Sequence, residues 1–133
     1  MQELTTYKRV NLILLGIYIL VIVYSAVFSY KNSNYPIPSF HDSISSEPNL
    51  SSGLSRSFSA IVRLQFDIAH QFNRYGLLVF LFFIEQISLR ILLSLLLIRK
   101  PKYIKTYLIA DGVTLLLGLF IHFKPFYLET VYR

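Results

Sequence analysis

Apolar side chains fill three long runs of this chain, 10–28, 75–98 and 104–123, with few polar interruptions. A helix of about 20 residues crosses the roughly 30 Å hydrocarbon core of a bilayer. The pattern therefore predicts an all-α membrane protein with three transmembrane helices. The polar segment 30–53, rich in Ser and Asn and carrying Pro36, Pro38 and Pro48, reads as an irregular loop. Residues 54–73 have a different rhythm. Phe58, Ile61, Val62, Ile68, Ala69 and Phe72 recur at helical spacing, and Arg56, Ser59, Arg63, Asp67, His70 and Arg74 recur on another face. That predicts one amphipathic helix lying on the membrane surface or lidding the bundle, with Asn49, Ser51 or Ser52 as its cap. Segment 99–103 is a short turn stopped by Pro101, so the second and third spans read as a helical hairpin. Residues 124–133 read as a tail.

Charge adds an orientation. Lys8 and Arg9 precede the first span, and Arg99, Lys100, Lys102 and Lys105 surround the turn of the hairpin with no acidic residue among them. Basic residues beside spans stay cytoplasmic. The N-terminus and the turn are therefore expected inside, with the long segment 30–74 and the C-terminus outside. The 133 residues allow one domain, and only 15% of them are charged against about 25% in soluble domains. Ten Tyr and eleven Phe, with a mean hydropathy of +0.53, suit helices that meet lipid and headgroups. The net charge of +6 lies next to apolar spans, so it is read as orientation and headgroup contact, with no nucleic-acid partner. The first span is too long for a signal-peptide core, and Tyr24 sits poorly before a cut at Ala26, so it is read as a retained anchor.

The second span carries Glu85 and Arg90, and the third carries Asp111. Such residues cost about 2.5–3.5 kcal/mol each at the bilayer centre on insertion scales and need partners. Arg90 and Asp111 both lie about 10–12 Å from the turn at about 1.5 Å per residue, so an ion pair across the hairpin is expected. Glu85 is more central. It has no evident basic partner at its depth, and a contact with another membrane subunit is expected there.

The run Ser52-Gly53-Leu54-Ser55-Arg56-Ser57-Phe58, followed by Phe66, Ala69, Phe72 and Asn73, resembles a bacterial family of small membrane proteins, domain-of-unknown-function family 2752. Its signature is approximately Cys-Pro-x-Cys-Gly-Leu-Thr-Arg, then an amphipathic helix, an aromatic-Asn-Pro and a transmembrane helix. Gly53, Leu54, Arg56 and Asn73 fall in that register, with Ser55 where Thr is usual. Asn49 and Ser52 stand at the two cysteine positions and Arg74 at the proline. The resemblance covers residues 47–98. It implies the architecture of that stretch, and chemistry resting on the cysteine pair is not expected here.

Candidate chemistry is sparse. The chain has no cysteine. His41, His70 and His122 are expected on the outer side, and Asp67 lies one turn from His70, but no metal-ligand spacing appears. There is no Gly-x-Ser-x-Gly elbow, phosphate-binding loop or dinucleotide fingerprint. No metal or cofactor is expected. The expected function is a non-enzymatic accessory or scaffold subunit of a larger membrane complex in a bacterial inner membrane, with membrane lipids and other membrane subunits as partners. Two alternatives stand beside it. One is an outer-leaflet enzyme or carrier whose polar site uses Arg56, Arg63, Asp67, His70 and Asn73. The other is a proton or ion path through Glu85. The absence of cysteine makes the orientation directly testable. In sealed cells, Lys102→Cys is expected to resist a membrane-impermeant maleimide until the membrane is opened, and His70→Cys to react at once. The reverse pattern inverts the topology.

Overall fold

The computed structural model describes residues 2–31 and 50–131. Most of the serine-rich loop, with Pro36, Pro38, Pro48, His41 and Asn49, lies outside the described residues, as do Met1 and residues 132–133. Helix α1 spans Gln2–Val27, α2 Leu54–Val62, α3 Phe66–Phe72, α4 Gly76–Arg99 and α5 Ile104–Val131, with a 3-10 turn at Pro101–Tyr103 before α5. Among the described residues there is no strand. Helices α1, α4 and α5 are each long and apolar enough to cross a membrane, and the chain is an all-α membrane protein.

Two spans are longer than the hydropathy pattern predicts. Helix α1 begins at Gln2 rather than at 10, because once a helix exists each added residue gains a backbone hydrogen bond. Helix α5 continues through Pro125, where a tail is expected from 124. The proline removes the bond its N–H would donate to the Ile121 carbonyl. Aromatic packing on both sides of the break offsets that loss. Phe123 meets Phe82 with ring centroids 5.5 Å apart, and Phe126 meets Tyr75 at 5.5 Å.

Helix α4 is the centre of the bundle. Val79, Phe82, Gln86, Arg90, Leu93 and Leu97, spaced by three and four, form its buried face. Helices α1 and α5 both run antiparallel to α4 and pack on it, while touching each other little. At the end bearing the basic turn, Tyr7, Leu93 and Leu97 form an apolar cluster with Leu4, Ile104 and Tyr107 around it. At the opposite end, Phe58, Ala60, Ile61, Ala69 and Val79 form a second one, and this is where α2 and α3 cover the bundle.

The single amphipathic helix expected over 54–73 is instead two short helices. The chain turns at 63–65. The Leu64 N–H bonds to the Ile61 carbonyl at 2.8 Å and the Gln65 N–H to the Ala60 carbonyl at 3.0 Å, with Leu64 at φ 59°. This is the Schellman stop, built here on a leucine in the left-handed region rather than on the usual glycine. Helical spacing continues across the stop, so the hydrophobic pattern conceals it. Nor is α2 simply two-faced. Ser57, Phe58, Ser59, Ala60 and Ile61 are consecutive and all buried.

The approach to α2 depends on Gly53, at φ 77°. A Cβ there would collide with the carbonyl oxygen of Phe72 at the end of α3. The Asn73 side chain closes the same junction by donating to the Leu50 carbonyl at 2.7 Å and the Ser52 carbonyl at 2.9 Å, while its Oδ1 accepts from the Tyr75 N–H at 2.9 Å. Gly53→Ala is expected to lower stability by about 1–3 kcal/mol, the cost of a strained backbone plus the clash. Gly16→Ala, in open space on α1, is expected to leave stability unchanged or slightly raised. Thermal unfolding in detergent micelles, followed by circular dichroism, separates the two.

Candidate functional site

The bundle interior contains a layer of polar groups between its two apolar clusters. On α4, Gln86, Arg90 and Ser94 follow one another at intervals of four, so they stack along one stripe. On α1, Tyr7 and Asn11 do the same, and Asp111 enters from α5. Arg90 is 1% exposed and Asp111 8%, and their Nη1 and Oδ2 atoms lie 2.5 Å apart. Both side chains lean toward the N-terminal end of their own helix. Because α4 and α5 are antiparallel those leans are opposed, and with the two residues at nearly equal depth the long Arg90 side chain spans the difference to reach Asp111.

The pair is tied to the third helix as well. The Tyr7 hydroxyl donates to Asp111 Oδ2 at 2.9 Å. Arg90 Nη1 also donates to Asn11 Oδ1 at 3.2 Å. Asn11 Nδ2 donates to the Arg90 carbonyl at 3.1 Å and to Ser94 Oγ at 2.8 Å. One network therefore joins α1, α4 and α5. It is not saturated: Arg90 Nε, Asp111 Oδ1 and both amide atoms of Gln86 are buried without a hydrogen-bond partner among the described residues.

The surroundings of Glu85 differ from the sequence-based expectation, which found no basic partner for it. His122 Nδ1 lies 3.6 Å from Glu85 Oε2 and 2.9 Å from the Gly118 carbonyl. Measured along the helices from the basic turn, His122 is about 27 Å away and Glu85 about 21 Å, at about 1.5 Å per residue. Here the opposed leans of antiparallel side chains converge, because His122 is the farther from the turn and leans back toward it while Glu85 leans outward, and this closes the gap. Depth alone does not reveal such a pairing. The Glu85 side chain is 43% exposed, on the outer surface of the bundle, whereas that of His122 is 14% exposed.

The five residues expected on an outer polar face do not form one site. Arg63 turns inward. It donates to the Ser25 carbonyl at 3.2 Å, the Ala26 carbonyl at 2.8 Å and the Ser59 carbonyl at 2.7 Å. Its guanidinium thus sits on the orphan carbonyls and negative dipole end of α1. Asn73 is held in the α2–α4 junction described above. Arg56 is exposed and lies 5.9 Å over the Phe72 ring. Asp67 and His70 are exposed, and among the described residues no ion pair joins any of the five. Ser59, expected on the polar face, is buried: its Oγ donates to the Phe28 carbonyl at 2.7 Å and accepts from the Tyr30 N–H at 3.0 Å. Sequence reasoning missed the roles of Tyr7, Asn11, Ser59 and Ser94. The one signal available was a polar residue, Asn11, just inside an apolar run.

Among the described residues no three His, Asp or Glu side chains gather into a metal-sized cluster. Comparison of the chain with family models, with curated proteins and with solved structures finds no match.

Removing one charge of a buried pair strands the other. Asp111→Leu is therefore expected to destabilise the bundle by about 3–5 kcal/mol. The double substitution Arg90→Met with Asp111→Leu is expected to recover most of that loss, since it removes both desolvation costs together. Unfolding titrations of the single and double variants in mixed micelles provide the check.

Proposed function

We propose that this membrane protein is a non-enzymatic accessory or scaffold subunit that packs against other membrane proteins through the α4–α5 face bearing Glu85. The observation that carries this reading is the exposure of the Glu85 carboxylate within a membrane-spanning helix. Arg90 and Asp111 compensate one another inside the bundle, and Glu85 does not have that protection. His122 at 3.6 Å is beyond an ordinary hydrogen bond. An ionisable side chain turned to hydrocarbon costs about 2.5–3.5 kcal/mol on insertion scales, and a donor on a neighbouring helix removes that cost. Small membrane subunits associate through such polar contacts because lipid provides no hydrophobic drive between helices.

The outer-leaflet enzyme or carrier reading draws less support, since Arg63 and Asn73 are committed to backbone carbonyls rather than to a shared cleft. The likeness to the family with the Cys-Pro-x-Cys-Gly-Leu-Thr-Arg signature supports the architecture of residues 47–98. Together with the basic turn it favours a bacterial inner membrane, with the N-terminus inside.

The test is a photo-crosslinking amino acid placed in native membranes at Ser88, exposed one turn from Glu85, and in a second variant at Leu20, exposed on α1. Ser88 is expected to give one discrete adduct with another polypeptide, lost on Glu85→Leu, and Leu20 to give lipid adducts. Lipid adducts alone from both positions, with a lone monomer on a native gel, overturn the subunit reading.

A further inference from the structure

Helices α1 and α5 flank α4 without closing on each other, and the space between them is a side-open groove of about 550 Å³. That is within the roughly 300–1,000 Å³ range of small-ligand clefts. Its lining is Gln2, Thr6, Tyr7, Val10 and Leu108. The first, second and fourth of these recur at intervals of four along one face of α1. The groove is thus polar near the helix end and apolar deeper in, an order that matches the glycerol and acyl regions of a phospholipid.

One basic residue belongs to the mouth by helical register. On α5, Lys105 and Asp111 stand three residues before and three after Leu108, and so flank it on opposite sides. Asp111 is turned to the bundle interior. Lys105, which is exposed, therefore lies on the open side. Arg99, Lys100 and Lys102 add exposed positive charge at the same end of the bundle. At the back of the groove the Tyr7 side chain is held by its hydroxyl's bond to Asp111.

We infer that this groove is a binding site for one anionic glycerophospholipid. The acyl chain lies against Val10 and Leu108, the glycerol esters reach Thr6, and the phosphate is met by Lys105 beside Gln2 at the helix end. A flexible cation beside a cleft that shields one flank of the lipid gives a charge preference that a smooth helix surface lacks.

The experiment uses the full chain, equilibrated with mixed micelles of phosphatidylcholine with and without phosphatidylglycerol, and native mass spectrometry to count retained lipid. The wild-type chain is expected to keep one phosphatidylglycerol with a several-fold preference over phosphatidylcholine. Leu108→Trp, which fills the groove and leaves every charge in place, is expected to abolish that retention. Lys105→Gln is expected to reduce the preference, and Leu116→Trp, exposed farther along α5, to behave as wild type. Val10→Trp fills the groove from α1 and decides the matter if the first variant loses helicity. Equal retention of the two lipids, or undiminished phosphatidylglycerol on a folded groove-filled variant, overturns the proposal: the first indicates ordinary solvation and the second attraction spread over the basic residues.

Discussion

The bundle depends on a buried charge pair that has to be assembled from different helices. Arg90 on α4 and Asp111 on α5 both sit within apolar spans, and neither has another ionised partner among the described residues. Apart, each is costly in hydrocarbon. Together they form a neutral, directional link that holds α5 to α4 in one register, because a shift of one residue along either helix turns a side chain by about 100° away from its partner. Tyr7 and Asn11 extend the link to α1. This matters because α1 and α5 touch each other little, and apolar surfaces gain no solvent-driven association from leaving lipid for one another. The apolar clusters at either end supply contact area. The polar layer selects the arrangement.

At the opposite end of the bundle a different constraint operates. The C-terminal carbonyls of α1 have no partners within their own helix. Arg63 covers two of them from α2, and Ser59 takes the Phe28 carbonyl just beyond. Asn73 does the equivalent for the strand of chain that enters α2. The cover formed by α2 and α3 is therefore held by side chains that look, in a linear sequence, like the exposed face of a surface helix. Its apolar residues, Phe58 and Ile61, bury against the spans, and its inward polar residues satisfy backbone. The outward residues, Arg56, Asp67 and His70, are left at the surface without a shared partner.

The spans were legible because hydropathy integrates over some twenty residues, so no single misplaced side chain alters the result. Their ends were not, since Gln2–Arg9 and the segment after Pro125 owe their helicity to continuation and to aromatic packing rather than to local composition. The proximity of Arg90 and Asp111 followed from counting rise per residue across a short hairpin. That of Glu85 and His122 did not, because their depths differ by about four residues and only the opposed lean of antiparallel side chains brings them within reach. The break at 63–65 was hidden because a leucine, not a glycine, takes the left-handed position. Arg63 and Asn73 were visible as polar residues, but their partners are backbone carbonyls, which carry no sequence signal.

The two intramembrane acids stand in opposite surroundings. Asp111 is enclosed, neutralised by Arg90 and held by Tyr7, so its charge is already accounted for by the fold. Glu85 lies five residues before Arg90 on the same helix, about 140° around its axis, and so faces out of the bundle where Arg90 faces in. The fold provides it with one imidazole at the edge of reach and no more. A leucine at that position would cost less in lipid, and within the isolated bundle the charge of Glu85 meets only His122 at 3.6 Å. Its presence is easier to understand if the outer face of α4 is itself an interior once the chain is assembled in its membrane. On the proposed subunit reading, a neighbour's donor would do for Glu85 what Arg90 does for Asp111 inside the bundle.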